Sequence, residues 1–349
     1  MWLETYIFVP DEIGLEILQA LVDAATRGCD VVLLVDRFGA HKLRDKHVKP
    51  LRTAGGVAIW FNPLLALKPN SAKVSVFGAH RDHRKILVVD DDIAYTGGRN
   101  VGLEYVGAGP DSFYDVMVRV EGPAARDFAA VFLETLTDTC DVDRQLFDAG
   151  APAGEVSVRV LQLDLRERVG ELDHALADLV AGAQERLLLS TPYLMPPAPL
   201  LEAALSAARR GVDVRLLTCG RSDVPLVQYA GRRLYPILLE AGIRIWEHER
   251  DILHAKFFVA DGRRTIIGSY NADRWGQRYN QEVAAEIESR ELATGLAECF
   301  RRGATVEITK ETIEAWPWYV PFFARLLWIL SKILAPDASH RARRGEARS

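Results

Sequence analysis

The sequence predicts an α/β protein of two pseudo-symmetric halves, each an α/β/α arrangement with a mixed, mostly parallel sheet, and an active site at their interface. Three observations favour this class. The chain has 349 residues, about twice the length of an average domain. Apolar strand patterns alternate with helical patterns, which is typical of βαβ units. The same order of elements, ending in the same polar motif, occurs twice along the chain.

The two halves begin with a matching order of strand, helix and strand. In the first half, apolar runs predict strands at 5–9 and 31–35, with a helix between them that follows Pro10-Asp11 and extends through Ala25. In the second half, the corresponding strands are predicted at 187–193 and 214–217, and the helix at 200–209. A further strand follows in each half, at 57–60 and at 243–246. We therefore predict one domain over 1–150, a second over 155–310, and a C-terminal segment over 311–349.

A polar motif ends each copy of the repeat and is its most specific feature. The two copies contain His83, Lys85, Asp90 and Asn100, and His254, Lys256, Asp261 and Asn271. In both copies Lys follows His by two positions, Asp by seven and Asn by seventeen. Alternation along a strand places His and Lys on one face, and a pair such as Asp261-Gly262 signals a hairpin turn. If the halves pack about a pseudo-two-fold axis, two His, two Lys and two Asn converge.

This duplicated H-x-K-x4-D-x6-G-[GS]-x-N pattern resembles that of the phospholipase D superfamily. The resemblance extends to about residue 308. Within it, HRKILVVDDDIAYTGGRN, YDVMVRVEGPA, RGVDVRLL and LHAKFFVADG are most similar to bacterial cardiolipin synthases, whereas ADRWGQRYNQE departs from the serine-rich tail expected of a synthase. The resemblance implies two phospholipase D-like domains and a covalent phosphohistidine intermediate that an alcohol or water resolves.

The motif residues suit the cleavage of a phosphodiester. A neutral imidazole can attack phosphorus, and an imidazolium can protonate the departing alkoxide. Lys85 and Lys256 would offset charge on the non-bridging oxygens, and Asn100 and Asn271 would donate amide hydrogens to them. No carboxylate cluster in the sequence is arranged to hold a divalent ion. We therefore expect neither a metal nor a cofactor.

The resemblance also assigns roles beyond the motif. It implies a downstream acidic residue that orients each catalytic His, and Glu282 matches this position for His254 while Asp115 matches it for His83. It implies further that His83 is the nucleophile and that His254 donates the proton.

Four other residues complete the expected site. Ser269 is a candidate hydrogen-bond donor to the substrate phosphate or to a neighbouring side chain, and Gly98 takes its place in the first copy. Asp90 and Asp261 stand at hairpin corners, where we expect structural carboxylates paired with nearby bases.

Composition limits the classes of partner. Lys and Arg total 43 against 48 for Asp and Glu, a net charge of −5, whereas nucleic-acid binding usually requires a basic surplus. We expect no nucleic-acid partner, although 81–84 and 232–233 carry local positive charge. The four cysteines are widely separated and no signal peptide is visible, which indicates a reducing compartment. The expected location is cytoplasmic, peripheral at the inner face of the cell membrane.

The segment 316–334 reads WPWYVPFFARLLWILSKIL. It contains two prolines and two basic residues, so a membrane crossing is disfavoured. Two interpretations remain: an amphipathic helix that lies in the membrane surface, or a helix that packs on the protein's own core. The tail after Pro336 is basic and poor in apolar residues, which predicts disorder.

Four functions are compatible with the sequence. The leading one is a phosphatidyltransferase of the cardiolipin synthase type, with phospholipid substrates such as phosphatidylglycerol. A phospholipase D-type hydrolase differs only in using water as the acceptor, and a nuclease-like phosphodiesterase would act on DNA or RNA. A membrane-binding module without chemistry is the non-enzymatic alternative. The apolar stretch 59–67 could line an acyl-chain entrance or be an ordinary strand and loop, and the oligomeric state is left open.

Overall fold

A computed structural model describes residues 1–62, 80–107, 111–140, 144, 146, 153–164 and 170–335. Within them, two mixed sheets face each other across an apolar core to which both halves of the chain contribute. Helices cover the opposite face of each sheet. The α/β class with mixed sheets is thereby confirmed.

In chain order, the elements of the first half are β1 (Trp2–Thr5), α1 (Glu12–Thr26), β2 (Val32–Asp36), α2 (Asp45–Thr53), β3 (Val57–Phe61), β4 (Arg81–Asp82), β5 (Ile86–Val89), β6 (Ile93–Gly97), β7 (Phe113–Tyr114), β8 (Met117–Glu121) and α3 (Ala124–Thr139). The first sheet has the strand order β3-β2-β1-β5-β6-β8. Its strands β1, β2 and β3 run parallel, and the others pair antiparallel.

The second half repeats this plan. Its elements are β9 (Ser157–Leu163), α4 (Glu171–Gly182), β10 (Arg186–Ser190), α5 (Ala198–Arg209), β11 (Asp213–Cys219), α6 (Pro225–Gly231), α7 (Tyr235–Glu240), β12 (Arg244–His248), β13 (Ile252–Leu253), β14 (Phe257–Ala260), β15 (Arg264–Gly268), α8 (Arg274–Tyr279), β16 (Asn280–Glu288), α9 (Arg290–Gly303), β17 (Val306–Ile308), α10 (Lys310–Glu314) and α11 (Tyr319–Leu334). The sheet has the order β17-β12-β11-β10-β14-β15-β16, with β9 and β4 also paired to β16. Strands β10, β11 and β12 are parallel, as their counterparts are.

The parallel part of each sheet is smaller than the sequence indicated. Strand–helix–strand units produce parallel pairs, but the motif strands β5 and β14 lead through tight turns into β6 and β15, and a hairpin joins its strands antiparallel. The strands predicted at 5–9 and 187–193 also end earlier than predicted, since β1 covers Trp2–Thr5 and β10 covers Arg186–Ser190. The apolar residues after Thr5 leave the sheet, where Phe8 is fully buried and forms a bridge with Val101.

Three apolar clusters fill the layers. The central cluster contains α3 residues such as Phe128 and Phe132, α9 residues such as Phe300, and strand residues of both sheets. The side chains of β2 alternate between this core and an outer cluster under α1 and α2. Because both halves contribute to one continuous core, residues from both are held in a fixed relation at their boundary.

The C-terminal helix α11 has two different faces. Val320 and Ala324 are buried, and Trp328 packs against the core of the second half. The opposite face exposes large apolar side chains, which we call the apolar face of α11: Phe322, Phe323, Leu326, Ile329, Leu330 and Ile333. The helix therefore packs on the protein, as one interpretation predicted, and also presents the apolar surface that the other required.

No helix in the described part of the chain combines the length and hydrophobicity of a membrane-spanning segment. The four cysteines are free thiols. Parts of three sequence expectations lie outside the described residues: the junction at 148–152, the end of the acyl-chain entrance at 63–67 and the basic tail at 336–349.

Candidate active site

Two short strands that cross between the halves position the motif histidines. Strand β4 pairs with the start of β16, and β13 pairs with β7. The backbone N–H of His83 donates to Gln281 O at 3.0 Å, and that of His254 donates to Tyr114 O at 2.8 Å. In each of these two strand pairs, one strand is followed directly by a motif histidine, and the paired segment of the other half is followed directly by an acidic residue. The boundary between the halves thus brings the two motifs together.

Each histidine is hydrogen-bonded to the carboxylate of the other half. His83 Nδ1 donates to Glu282 Oε1 and Oε2 at 2.9 and 3.0 Å. His254 Nδ1 donates to Asp115 Oδ2 at 2.6 Å. The two acidic residues were predicted, but the predicted pairing within each half is wrong. Strands β4 and β13 pair with strands of the opposite half and so place each histidine beside the carboxylate of that half. The spacing of residues along the sequence does not predict this pairing between the halves.

The two carboxylates are supported differently. Glu282 is fully buried and accepts hydrogen bonds from Ser269 Oγ and from Asn280 Nδ2, the latter at 3.1 Å. Asp115 Oδ1 accepts from the backbone N–H of Val116 at 2.7 Å. A Cβ added to Gly98 would lie 2.3 Å from Asp115 Oδ1, so the first half has no room for a serine at this place.

Of the two roles expected for Ser269, the structure shows the hydrogen bond to a neighbouring side chain, and the expected assignment of Ser269 and Gly98 to substrate binding is corrected accordingly. The Ser269 side chain is fully buried, and its hydroxyl bonds to Glu282 and to the backbone of Val283. Gly98 is buried against Asp115. Ser269 thus donates a hydrogen bond to Glu282, and Gly98 leaves the space that Asp115 occupies, so both residues help to position the carboxylates that bind the histidines.

Burial keeps both imidazoles neutral near pH 7. It lowers the pKa of His83 to about 4, against the opposing charge of Glu282. Burial, followed by the positive charge of Lys256, also lowers the pKa of His254, while Asp115 opposes the shift. Because Nδ1 of each ring donates its proton to a carboxylate, Nε2 carries the lone pair in the neutral form. Each ring is therefore prepared to accept a proton or a phosphoryl group at Nε2.

Lys85 and Lys256 are almost fully buried beside these rings. Lys85 Nζ donates to His83 O at 2.6 Å, and Lys256 Nζ donates to His254 O. Burial lowers the pKa of Lys85 to about 7 against the attraction of Glu282, and that of Lys256 to about 8 against Asp115. An anion in the site would favour the charged form of both lysines.

The two asparagines, predicted as equivalent donors, differ in their surroundings. Asn100 Oδ1 accepts from the backbone N–H of Ile7 at 3.1 Å, and Asn100 Nδ2 donates to the Tyr105 hydroxyl at 2.7 Å. The buried Oδ1 of Asn271 has no hydrogen-bond partner in the part of the chain that the structure describes. Both amide atoms of Asn100 are thus engaged by protein, whereas Oδ1 of Asn271 is unpaired among the described residues.

The motif aspartates lie in tight turns. Asp90 and Asp91 both have φ of 54°, and Asp261 and Gly262 have φ of 52° and 61°, as turns that join two adjacent strands require. The Asp261 carboxylate accepts three backbone N–H groups from residues 184–186, at 2.8 to 3.2 Å. Its predicted partner was a base, and the backbone takes that place because the turn abuts the start of β10. Asp90 is exposed.

Aromatic residues that sequence reasoning missed surround the histidines. Tyr6 lies edge-on to His83 with ring centroids 5.1 Å apart, and Phe113 lies in the same way 5.1 Å from His254. Tyr105 stacks on Phe113 and also approaches His254. The position of Tyr6 directly after β1 was a usable signal, because sites in α/β sheets form beyond the carboxyl ends of strands.

Buried charges anchor the strand that carries His83. Arg81 contacts Asp36 at 3.3 Å, and Arg84 donates to Thr135 Oγ1 at 2.5 Å. Arg84 is 1% exposed and Arg81 7%. The positive charge of 81–84 therefore lies inside the protein, where it fixes the backbone of the motif.

Comparison with known proteins places the chain in a family. The family model described as "Cardiolipin synthase, PLD-like domain" matches residues 1–136 and 176–303. The chain is 32% identical over 297 residues to cardiolipin synthase B of Salmonella typhi, covering 82% of this chain and 70% of that protein. It is 30% identical over 348 residues to a cardiolipin synthase of Geobacillus thermodenitrificans, covering 96% of this chain and 66% of that protein.

The fold is also found in a solved structure. Phosphatidylserine synthase of Haemophilus influenzae Rd KW20 superposes with a TM-score of 0.70 at 17% identity, over 96% of this chain and 89% of that one. From the family match and these relatives, the chain belongs to the family of phospholipase D-like domains found in cardiolipin synthases, and it is an enzyme of the phospholipase D superfamily.

Proposed function

We propose that the protein is a phosphatidyltransferase of the cardiolipin synthase type, which moves a phosphatidyl group from one phospholipid to the hydroxyl of another. The observation that carries the proposal is the pair of buried imidazoles, each held at Nδ1 by a carboxylate of the opposite half. Two such groups, with two buried lysines beside them, suit a double displacement at phosphorus.

In the first step, His83 Nε2 attacks the phosphorus of the donor lipid. A nitrogen–phosphorus bond forms, and the bond from phosphorus to the headgroup oxygen breaks. Protonated His254 gives its proton to that oxygen, so that phosphatidylglycerol would release glycerol. The bound phosphodiester anion favours protonation of His254, which burial otherwise opposes.

In the second step, the neutral His254 accepts the proton of an incoming hydroxyl. The hydroxyl oxygen bonds to phosphorus, the nitrogen–phosphorus bond breaks, and His83 becomes neutral again. With phosphatidylglycerol as acceptor, the product is cardiolipin. Lys85 and Lys256 stabilise the charge on the phosphoryl oxygens in both steps, and Nδ2 of Asn271 donates to one of them.

Two structural features favour a lipid over a nucleic acid. Arg81 and Arg84, the strongest candidates for a basic groove next to the motif, are buried. The apolar face of α11 supplies the kind of surface that an interfacial enzyme needs, with side chains such as Phe322 at 59% and Ile333 at 69% exposure. We propose that this face docks in the surface of the membrane, at its cytoplasmic side.

The position of α11 connects docking with the active site. Arg274 of α8 lies over the Trp328 ring at 4.4 Å, and Tyr279 Oη donates to Leu334 O at 2.9 Å. Helix α8 joins Asn271 to β16, which carries Glu282. A membrane bound by α11 would therefore lie one helix away from the motif of the second half.

Incubation of the pure protein with phosphatidylglycerol vesicles, followed by mass analysis of the lipids, tests this function. The proposal requires cardiolipin together with glycerol. Phosphatidic acid without cardiolipin would identify a phospholipase D-type hydrolase instead, and no lipid turnover would overturn the proposal.

A further inference from the structure

A pocket of about 350 Å³, outside the active site, lies between α11 and the helical segment 225–240. This volume lies within the range of small-ligand sites. Among the described residues, three arginines and no carboxylate line it, and none of the catalytic side chains does. The residues that define its chemistry are Arg232, Arg233, Trp316, Phe322 and Arg325. The pocket is thus basic and aromatic.

Arg232 has a structural role in the pocket. Arg232 forms two hydrogen bonds with Glu247, at 3.0 and 2.9 Å. Its guanidinium also lies over the Trp316 ring at 5.4 Å. Its charge is therefore balanced, and it fixes the tryptophan that borders the pocket.

The other two arginines retain uncompensated charge. Within the described residues, neither Arg233 nor Arg325 has a hydrogen-bond or ion-pair partner. Arg325 is exposed and Arg233 half-buried. Two guanidinium groups without carboxylate partners, beside one cavity, suit the oxygens of a phosphate group.

The surroundings indicate which kind of phosphate fits. Phe322 lines the pocket and belongs to the apolar face of α11. Arg325 and Lys332 are seven residues apart, so both border this face on one side. When such a face lies in a membrane surface, arginines at its edge reach the depth of lipid headgroups. A phosphate that is attached to acyl chains therefore fits the combined surface better than a free anion does.

We infer that this pocket binds the phosphate group of an anionic phospholipid that does not react, and that the bound lipid holds α11 on an anionic membrane. The inference rests on the membrane docking proposed above. It adds a lipid site outside the active site and a dependence of binding on anionic lipid.

The test compares vesicle binding by variants of the full-length protein. All carry His83→Ala and His254→Ala, so that binding is measured whether or not the protein turns lipid over. In this background, Arg233→Gln with Arg325→Gln is compared with Arg209→Gln and Arg290→Gln, two exposed arginines outside the pocket. Co-sedimentation is measured with phosphatidylglycerol-containing vesicles and with phosphatidylcholine vesicles, and thermal unfolding monitors the fold.

The pocket variant should bind the anionic vesicles more than about 30-fold more weakly, since charge near an anionic surface alone contributes about fivefold for each residue and the phosphate contacts in the pocket add to it. The control should change by less than about twofold, and binding to phosphatidylcholine should be unaffected. Lys332→Gln, which removes a charge from the same side of α11 outside the pocket, should have a smaller effect than either arginine substitution alone. Equal effects of Arg233, Arg325 and Lys332, or equal loss in the pocket variant and its control, would overturn the inference.

Discussion

His83 and Glu282 are 199 residues apart in the chain, and yet His83 Nδ1 donates to both carboxylate oxygens of Glu282. The reciprocal contact joins His254 to Asp115 across 139 residues. Each half therefore supplies a histidine and the carboxylate that orients the histidine of its partner half. Neither half contains a complete catalytic pair of histidine and carboxylate.

The crossed pairing makes the two carboxylate variants differ in a defined way. With a substrate whose leaving group needs no protonation, Glu282→Gln should slow formation of the covalent adduct by about 100-fold or more, because His83 loses the carboxylate that orients it. Asp115→Asn should leave adduct formation nearly unchanged and slow its breakdown, since it weakens His254 as a base. Rapid-quench measurement of the adduct distinguishes the two steps, and the opposite pattern would argue for pairing within each half.

Gly98 should not tolerate a side chain. Gly98→Ser places a Cβ 2.3 Å from Asp115 Oδ1, and we expect a loss of about 1–3 kcal/mol in the free energy of unfolding together with a loss of activity. Gly295→Ser is the control, because a Cβ at Gly295 meets no atom within 4 Å. Chemical denaturation measures both variants. Similar stability for the two would show that Asp115 can move away from its place behind His254.

The pH profile of kcat/KM should have two limbs. Below pH about 4, His83 is protonated and cannot attack phosphorus. Toward higher pH, kcat/KM should fall first because His254, which must be protonated in the first step, has a pKa that burial lowers below its usual value. Above pH about 7 it should fall more steeply, because Lys85 also loses its proton. In Lys85→Arg this steeper part should move upward toward the pKa of about 8 of Lys256, since arginine stays charged, while the limb due to His254 stays in place. An unmoved steeper part would exclude Lys85 as its cause.

The apolar face of α11 should be necessary for vesicle binding. Ile329→Gln with Ile333→Gln removes two exposed side chains of this face and should weaken binding at least tenfold, because their burial in the interface is lost. Leu15→Gln with Val156→Gln is the matched control, with exposures of 50% and 53% against 49% and 69%. Substitution is preferable to removal of α11, because Trp316 and Trp328 cover the core of the second half. Equal binding by both variants would contradict docking through this face.

The class of fold and most residues of the site could be predicted because they depend on patterns of residues that are close together in the sequence. The spacing of His and Lys on a strand, the turn signals at Asp90 and Asp261, and the recurrence of both in a second copy are local patterns. Residues two positions apart on a strand lie on the same face, and turn residues between two strands predict a hairpin, so these patterns can be interpreted without knowledge of the rest of the fold. The two acidic residues have a different origin, because the family resemblance implied an acidic residue downstream of each motif and only their positions came from the spacing.

The relations between the halves could not be read in this way. The pairing of His83 with Glu282 depends on β4 crossing to β16, and two pairings related by a pseudo-two-fold axis are equally compatible with the spacing. The engagement of Asn100 by Ile7 and Tyr105 depends on where the chain goes after β1 ends. Likewise, the apolar run at 5–9 does not show that Phe8 leaves the sheet to meet Val101.

The central claim is that His83 is the nucleophile and His254 the acid and base, and trapping of the covalent intermediate tests it most directly. A substrate with a good leaving group is mixed with His254→Ala or with His83→Ala, and the modified residue is located by mass mapping of peptides. We predict a stable phosphatidyl adduct on His83 in His254→Ala, because departure needs no acid and no base remains for the second step, and no adduct in His83→Ala. An adduct on His254 in the His83→Ala protein would contradict the account and reverse the two roles.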